Sequence, residues 1–278
     1  MIRHFSKVTD YPVPVAIEVS DDICDQQDFG NCKGNSAGPV FLVGSGASAA
    51  DFPIREFSCI PMITMNGAIS MFTRAGINPH FYVCSDRDFS RQQPELFAQA
   101  MRSSDNIALW DSQIGKLRSS PRGNVYALKK ADRLGAASLF EQRSDLVRKL
   151  SLFSRRSRDI GFSKDMSLGF FDARTVMYLA LQLAHHLGFS KVFLVGFDMN
   201  QSAGRYYETP GARLSPCGLD QHYESRILPS LKLMANSVMG DDFQVYNLSA
   251  TSRVPDDIIP RLSLEGVRHM LGLSGYNG

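Results

Sequence analysis

The amino-acid sequence predicts an α/β fold, and three of its features lead to that prediction. A continuous apolar run at 40–43, within "GPVFLVGSGASAADF", is typical of a strand buried on both faces, and a glycine turn follows it directly. Short apolar runs then alternate with helical segments along most of the chain. A further apolar run at 192–195 follows a long helical segment that ends at Gly188. Together these features predict a Rossmann-like, mostly parallel sheet with helices on both faces.

The predicted elements follow from apolar runs and the turn residues between them. Strands are expected at 40–43, 62–65, 81–84, 107–110, 125–128 and 192–195, with a late strand in "FQVYNLS". Helices are expected in "NGAISMFTRAGINPH", which Gly76 and Pro79 close, across 168–187 as a strong amphipathic helix, and at 220–239. The remainder is expected to form a C-terminal cap.

The chain divides into four predicted regions. They are a polar N-terminal arm (1–37), a nucleotide-binding Rossmann-like half (38–128), a basic helical lid (129–166), and the second part of the α/β domain with the C-terminal cap (167–278). Between residues 129 and 158, nine basic residues outweigh three acidic ones, which leaves a local charge of +6. This pattern predicts either a solvated helical face or a lid that meets an anionic acceptor or a membrane.

Composition narrows the classes of function. The chain has 278 residues and a formal net charge of +2, which selects neither for nor against an anionic partner. Five scattered cysteines without a CxxC pair, and six histidines without an HExxH pattern, predict neither disulfides nor a bound metal. No nucleic-acid motif is present, and neither a bilayer-spanning run nor a secretory signal is found. We therefore expect a cytoplasmic protein that does not bind nucleic acid.

Small and polar residues follow four predicted strands, at the end of the sheet where α/β proteins bind ligands. They are Gly44, Ser45, Gly46 and Ser48 after the first strand, Asn66 after the second, Ser85 and Asp86 after the third, and Asp198 after the strand at 192–195. Glycines permit a sharp turn and the close approach of a ligand. The spacing fits neither the dinucleotide fingerprint nor the P-loop, so we predict a nucleotide-binding turn of another kind. A tight turn without a ligand is the alternative.

Two further clusters carry candidate chemistry. In "GFSKDMSLGFF", Ser167 is predicted to cap the long helix, Gly169 to admit a ligand, and Lys164 to add positive charge, which would make an anion site. An ordinary capped helix is the alternative reading.

In "GFDMNQSAGRYYE", an arginine and two tyrosines could stabilise a departing phosphate without a metal, and a histidine further on could accept a proton. Tyrosines that only pack, and a histidine without a chemical role, are the alternatives. The residues concerned are Arg205, Tyr206, Tyr207 and His222.

An ordered set of segments carries a resemblance to a known family. The set is "FLVGSGAS", "MNGAIS", "HFYVCSDRDF", "GFSKDMSLGFF", "KVFLVGFDMN" and "YNLS", and it spans roughly residues 40–262. It resembles the WaaZ-type transferases that add Kdo (3-deoxy-D-manno-oct-2-ulosonic acid) to the lipopolysaccharide core. It is similar, more distantly, to bacterial CMP-sialic acid sialyltransferases. The resemblance implies their Rossmann-like glycosyltransferase fold, a CMP-activated 2-keto sugar acid as donor, and neither a cofactor nor a metal.

The resemblance also implies roles for individual residues. Catalytic roles fall on His222, Tyr206, Tyr207, Arg205 and Asp86. Donor binding falls on Gly44, Ser45, Gly46, Ser48, Asn66, Ser85, Lys164, Ser167, Leu168, Gly169 and Asp198. The general base would be His222, with Asp86 or another group as an alternative.

The implied reaction is an inverting transfer of Kdo from CMP-Kdo to an inner-core sugar on lipid A, at the cytoplasmic face of the inner membrane. Contact with the acceptor or the membrane is expected from Arg155, Arg156 and Arg158. A homo-oligomer is left open.

Three other functions are compatible with the same pattern. The donor could be another CMP-activated acid, such as sialic or pseudaminic acid. The chain could be a Rossmann-type enzyme that uses NAD or S-adenosylmethionine, although NAD enzymes usually carry an acidic residue after the second strand. It could also be a non-catalytic member of the family that scaffolds core assembly.

Overall fold

The computed structural model describes residues 24–132, 144–149, 159–208 and 218–273. Within these ranges eight strands form one sheet in which every neighbouring pair is parallel, and two more strands form a small antiparallel pair. The strands are β1 (Gln26–Gln27), β2 (Pro39–Val43), β3 (Met62–Met65), β4 (Phe81–Cys84), β5 (Asn106–Trp110), β6 (Asn124–Leu128), β7 (Leu146–Arg148), β8 (Gly161–Ser163), β9 (Lys191–Val195) and β10 (Gln244–Asn247). The predicted parallel α/β fold and the predicted strands are confirmed, with bounds within two residues.

Eight α-helices connect and cover these strands in the described part of the chain. They are α1 (Ile69–Ala75), α2 (Phe89–Gln92), α3 (Pro94–Ser103), α4 (Asp111–Ile114), α5 (Val176–Leu187), α6 (Leu219–His222), α7 (Leu228–Ser237) and α8 (Leu264–Met270). A π-helical turn, Tyr223–Ile227, joins α6 to α7, so the helix predicted at 220–239 is present but locally widened. Within the described ranges, no helix combines the length and the apolar character that crossing a membrane requires.

The order of the strands places a crevice beside β2. Across the sheet the order is β1-β6-β5-β4-β3-β2-β9-β10. Strands β3 to β6 therefore lie on one side of β2, and β9 and β10, which come later in the chain, lie on its other side. Val43 at the end of β2 therefore pairs with Thr64 on one side and with Val195 on the other. The connections after β2 and β9 leave in opposite directions, and ligands bind in α/β sheets at such a switch point.

Apolar residues cover both faces of the sheet. On one face lies α5, in which ten of the 12 residues are buried, so it is a central core helix; the sequence predicted a strong amphipathic helix here. It also begins at Val176 and not at 168, because Phe170 instead forms backbone hydrogen bonds with Lys129 and Ala131. On the other face α1, α3 and α8 contribute to a second apolar cluster.

Two predicted regions differ from the structure. The N-terminal arm is not loose between residues 26 and 32, because β1 forms the edge of the sheet and the buried Phe29 packs against Tyr126. The basic lid is not helical where it is described, because β7 pairs with β8. The Ser163 N–H at the end of β8 donates to the Gln182 side chain of α5, so β8 belongs to the core.

Candidate active site

The polar strand ends predicted to meet do lie around one cavity of about 580 Å³, a size typical of small-ligand sites. Its wall includes Gly44, Ser45, Gly46, Asn66, Ser85, Asp86, Gly196 and Asp198 from the four strand ends. The segment before α5 and the loop after β9 complete it, with Asp172 and Arg174 from the first and Met199 and Arg205 from the second. We call this space the rim cavity. The prediction that four strand ends converge is therefore confirmed in its geometry.

A buried carboxylate holds the glycine turn in place. Asp198 accepts a hydrogen bond from the Ser48 N–H at 3.0 Å and a very short one from the Ser48 hydroxyl. A Cβ at Gly46 would lie 2.5 Å from the Gly196 carbonyl oxygen and 2.6 Å from Asp198 Oδ2, so only glycine fits there. Ser48 is bonded in this way and is not among the residues that line the cavity, so its contribution is to position the turn.

Backbone strain is concentrated at the rim cavity. In the described part of the chain, three residues other than glycine have a positive φ: Asn66 (46°), Arg174 (65°) and Met199 (54°). All three line this one cavity. The side-chain oxygen of Asn66 is also buried without a hydrogen-bond partner among the described residues. Strained conformations and orphaned polar groups both cluster at functional sites.

The charged groups of the cavity are mostly engaged with one another. Four carboxylates and two arginines line it, but Asp198 is bonded to Ser48, and Glu208 pairs with Arg205 at 2.8 Å. Asp172 pairs with Lys130 at 2.7 Å. Two of the four carboxylates are thus paired with a cation and a third is hydrogen-bonded, which lowers their repulsion of an anionic ligand.

Asp172 and Arg174 are site residues that sequence reasoning missed. They lie in the segment that was predicted as helix, and no motif marks them. Burial acts to raise the pKa of Asp172, but the ion pair with Lys130 and the Arg174 N–H outweigh it and hold the pKa below its usual value. Asp172 therefore stays ionised, and its bond to the Arg174 N–H fixes the left-handed turn.

The two loop tyrosines are behind the cavity wall. Tyr206 donates its hydroxyl to the Ala68 carbonyl at 2.9 Å, and the ring of Tyr207 packs directly over Gly67. Burial raises the pKa of Tyr207 to about 12, so its hydroxyl remains protonated. Only Arg205 of the predicted trio lines the cavity, and the tyrosines support its loop.

The predicted anion site at 164–169 is wrong in its location. Ser167 does not cap α5, because the N-cap of that helix is Thr175. The N–H and the hydroxyl of Ser167 both donate to the Asp165 carboxylate. Lys164 and Ser167 lie beside the far end of α5, as the Met166 N–H bond to His186 shows. Leu168 and Gly169 follow there, and the Gly169 backbone packs tightly against residues 130–131. None of the four lines the rim cavity.

His222 faces a second cavity of about 750 Å³ that adjoins the first. The two cavities share Asp172 and Arg174 as a common wall. His222 ends α6, and its ring lies 3.6 Å from where a Cβ on Gly218 would be. A ligand bound in the second cavity could thus meet a ligand bound in the rim cavity at this common wall. The imidazole of His222 lies on the side of the second cavity.

The described residues contain no cluster of three or more His, Cys, Asp or Glu side chains that could hold a metal ion. The remaining predicted contacts, Arg155, Arg156 and Arg158, lie outside the described residues.

Comparison with known proteins identifies the family. A family model described as 3-deoxy-D-manno-octulosonic acid transferase WaaZ matches residues 127–265, which is half of the chain. The chain belongs to the WaaZ family. This confirms the predicted family, and it makes the protein a glycosyltransferase of the Kdo transferase group.

Two curated relatives of this WaaZ-family chain are similar along most of their length. A probable 3-deoxy-manno-octulosonic acid transferase of Escherichia coli K12 is 24% identical over 87% of this chain and 89% of its own. The protein of that same description from Salmonella typhimurium LT2 is 23% identical over 81% of this chain and 86% of its own.

Two solved structures are more distantly similar. The MAf glycosyltransferase of Magnetospirillum magneticum AMB-1 has a TM-score of 0.49 and 16% identity over 83% of this chain, which spans only 35% of that protein. The sialyltransferase CstII of Campylobacter jejuni, solved with cytidine-5′-monophosphate, has a TM-score of 0.44 and 14% identity; the match covers 80% of this chain and 84% of that one.

Proposed function

We propose that this protein transfers Kdo from CMP-Kdo to an inner-core sugar of lipopolysaccharide, with inversion and without a metal ion or other cofactor. The observation that carries the proposal is the rim cavity, where three left-handed non-glycine residues, all that the described ranges contain, surround the switch point of a parallel sheet. Membership of the WaaZ family supports Kdo as the transferred sugar.

The donor would lie across the ends of β2, β3 and β9. The N–H groups of Gly44 and Gly46 already bond to the carbonyls of Val195 and Gly196, so the glycine turn would serve for close approach. The side chains of Ser45, Asn66 and Ser85 would hold the nucleotide. Arg174 and Arg205 would balance the charges of the phosphate and the sugar carboxylate. As the C2–O bond to CMP weakens, Arg205 would stabilise the phosphate that leaves, which is the role a metal has in other transferases.

The proton of the acceptor hydroxyl must be removed during transfer. His222 is our candidate base, because it lines the cavity that adjoins the donor's. Asp86 is the alternative on the donor side; in the described residues it has no ion-pair partner, and one of its oxygens accepts the Asp88 N–H.

We further propose that the protein works at the cytoplasmic face of the inner membrane as a peripheral protein. The local charge of +6 between residues 129 and 158 supports this, because phosphorylated lipid A and anionic lipids attract basic segments.

Donor hydrolysis tests the proposal. The purified full chain should hydrolyse CMP-Kdo but not CMP-sialic acid, and EDTA should leave the rate unchanged. CMP should raise the melting temperature, whereas NAD and S-adenosylmethionine should not. Stabilisation by NAD but not by CMP would reject the transferase. Retained rather than inverted configuration at C2 of the transfer product would reject the mechanism.

A further inference from the structure

The second cavity differs in charge from the rim cavity. It is lined by Lys130, Arg148, Arg174 and Arg226 against Asp132, Asp159 and Asp172, a sum of +1 with His222 neutral. The rim cavity has two arginines against four carboxylates, a sum of −2. Of the two adjoining spaces, the second therefore has the more positive sum of formal charges, by three, which favours an anionic ligand there.

Arg148 and Arg226 are held in defined positions on this wall. Arg148 donates to the Asp132 carbonyl at 2.6 Å, and its guanidinium lies 4.7 Å from the centre of the Phe171 ring. Arg226 donates through Nε to the Asp172 carbonyl at 2.9 Å, at the wall shared with the rim cavity. Guanidinium groups fixed in this way can receive an oxyanion with little loss of side-chain entropy.

Both guanidiniums are also partly withdrawn from water. Burial lowers the pKa of Arg148 and the pKa of Arg226, although neighbouring carboxylates act in the opposite direction. A half-buried cation gains more from an anionic ligand than an exposed one does. Buried Phe170 and Phe171 add an apolar floor on which a sugar ring can rest.

From this arrangement we infer that the second cavity is the acceptor subsite, and that Arg148 and Arg226 bind an oxyanion of the acceptor sugar, a carboxylate or a phosphate. The inference rests on the proposed function, since it takes the rim cavity as the donor site. It assigns acceptor recognition to described residues of β7 and the π-helical turn, whereas the sequence predicted it at the arginines at 155, 156 and 158, which lie outside the described residues. It also brings the acceptor hydroxyl beside His222.

The test measures transfer from CMP-Kdo to deacylated, Kdo-bearing lipid A with Arg148→Gln and Arg226→Gln. Each variant should raise the acceptor KM about ten- to a hundredfold, as expected for a lost hydrogen bond to a charged group. CMP affinity and the hydrolysis of CMP-Kdo without acceptor should stay at the wild-type level. Arg122→Gln is the matched control, because this arginine pairs with Asp105 and lines neither cavity.

Modified acceptors separate the two sources of the oxyanion. If the carboxylate is the ligand, its methyl ester should raise the wild-type KM to that of Arg148→Gln. If the phosphate is the ligand, dephosphorylation should do so. Unchanged acceptor KM in both variants, or wild-type KM for both modified acceptors, would overturn the inference.

The outcomes distinguish this inference from the proposed function. A wild-type protein that neither binds CMP nor hydrolyses CMP-Kdo would reject the proposed function itself. Should both variants fail to fold, hydrogen exchange of the wild-type protein decides: deacylated Kdo-bearing lipid A must protect amides at 146–148 and 222–226. Absence of that protection, at an acceptor concentration that saturates transfer, would overturn the inference.

Discussion

The two ends of α5 carry similar kinds of polar residues but have different structures. The helix is about 18 Å long, and its N-terminal end meets the rim cavity with Asp172 and the strained Arg174. At its C-terminal end, Cys32 Sγ lies 3.7 Å from His186 Nε2, and Asp165 lies 3.6 Å from His186 Nδ1. On distances alone, the second group resembles a nucleophile, a base and an acid.

The cluster of Cys32, His186 and Asp165 nevertheless has a structural role, because it connects α5 to the segments around Phe29 and Met166. His186 donates to the Phe29 carbonyl at 2.8 Å and accepts the Met166 N–H at 3.1 Å, so both ring nitrogens are satisfied. Burial raises the pKa of Cys32 to about 11, so the thiol is not ionised at neutral pH. The comparison teaches that open space and unsatisfied groups mark a functional site better than residue types do.

Breaking the glycine turn should have the largest effect. Gly46→Ala places a methyl group 2.5 Å from the Gly196 carbonyl oxygen, so the turn must shift. We expect CMP binding by calorimetry to weaken more than about a hundredfold and the free energy of unfolding to fall by about 1–3 kcal/mol. Gly240→Ala is the control, because a Cβ there meets nothing within 4 Å. Equal CMP affinity in both variants would show that the glycine turn is not part of the nucleotide site.

Relaxing the strain at Arg174 should separate activity from stability. Arg174→Gly removes a guanidinium from both cavities and relieves a left-handed conformation that costs about 1–2 kcal/mol. Transfer measured as kcat/KM should fall about ten- to a hundredfold. The melting temperature should hold or rise, although the more flexible unfolded chain offsets part of the gain. Lost stability together with full activity would contradict the account.

Truncating the buried thiol should affect stability alone. Cys32→Ala removes a packed side chain, so we expect a loss of about 1 kcal/mol in urea unfolding, with kcat and KM unchanged. In the native wild type, iodoacetamide should label the exposed Cys59 and spare Cys32. A variant as stable as the wild type but inactive would make this cluster part of the active site.

The last expected effect, which is absent at neutral pH, is a pH dependence of stability from the same end of α5. Burial beside Phe162 and Phe243, with a further contribution from Lys164, lowers the pKa of His185 to about 4. The unfolded chain therefore binds a proton at His185 more readily than the folded protein does. The contribution of the buried, neutral imidazole to the free energy of unfolding is complete above pH 6.5 and is lost as the pH falls towards 4.

Thermal melts between pH 7 and 4 test this dependence. His185→Phe cannot gain the charge and should flatten the decline, whereas the exposed His269→Gln should not. An unchanged slope in His185→Phe would show that other groups govern acid stability.

Much of the fold was predictable because its signals are local. Continuous apolar runs marked the strands, and the turn at Gly44–Gly46 followed from glycines directly after one of them. The convergence of strand ends followed from the parallel topology alone. The start of α5 was not predictable from periodicity, because Phe170 is taken by backbone bonds to a distant segment.

The site was predictable only in part, for a related reason. Asp172 gains its role from the turn before α5 and from Lys130, which lies 42 residues away. The tyrosines at 206 and 207 were placed in the right loop, but which side chain of that loop faces the cavity depends on contacts with Ala68 and Gly67. Tertiary contacts of this kind produce no recognisable pattern of residue spacing in the sequence.

A crystal structure with CMP bound would test the central claim most directly. The account predicts the nucleotide in the rim cavity, with its phosphate within hydrogen-bond distance of the Gly44–Gly46 main chain or of the guanidinium of Arg174 or Arg205. CMP bound elsewhere on the protein, with the rim cavity left without nucleotide density, would contradict it.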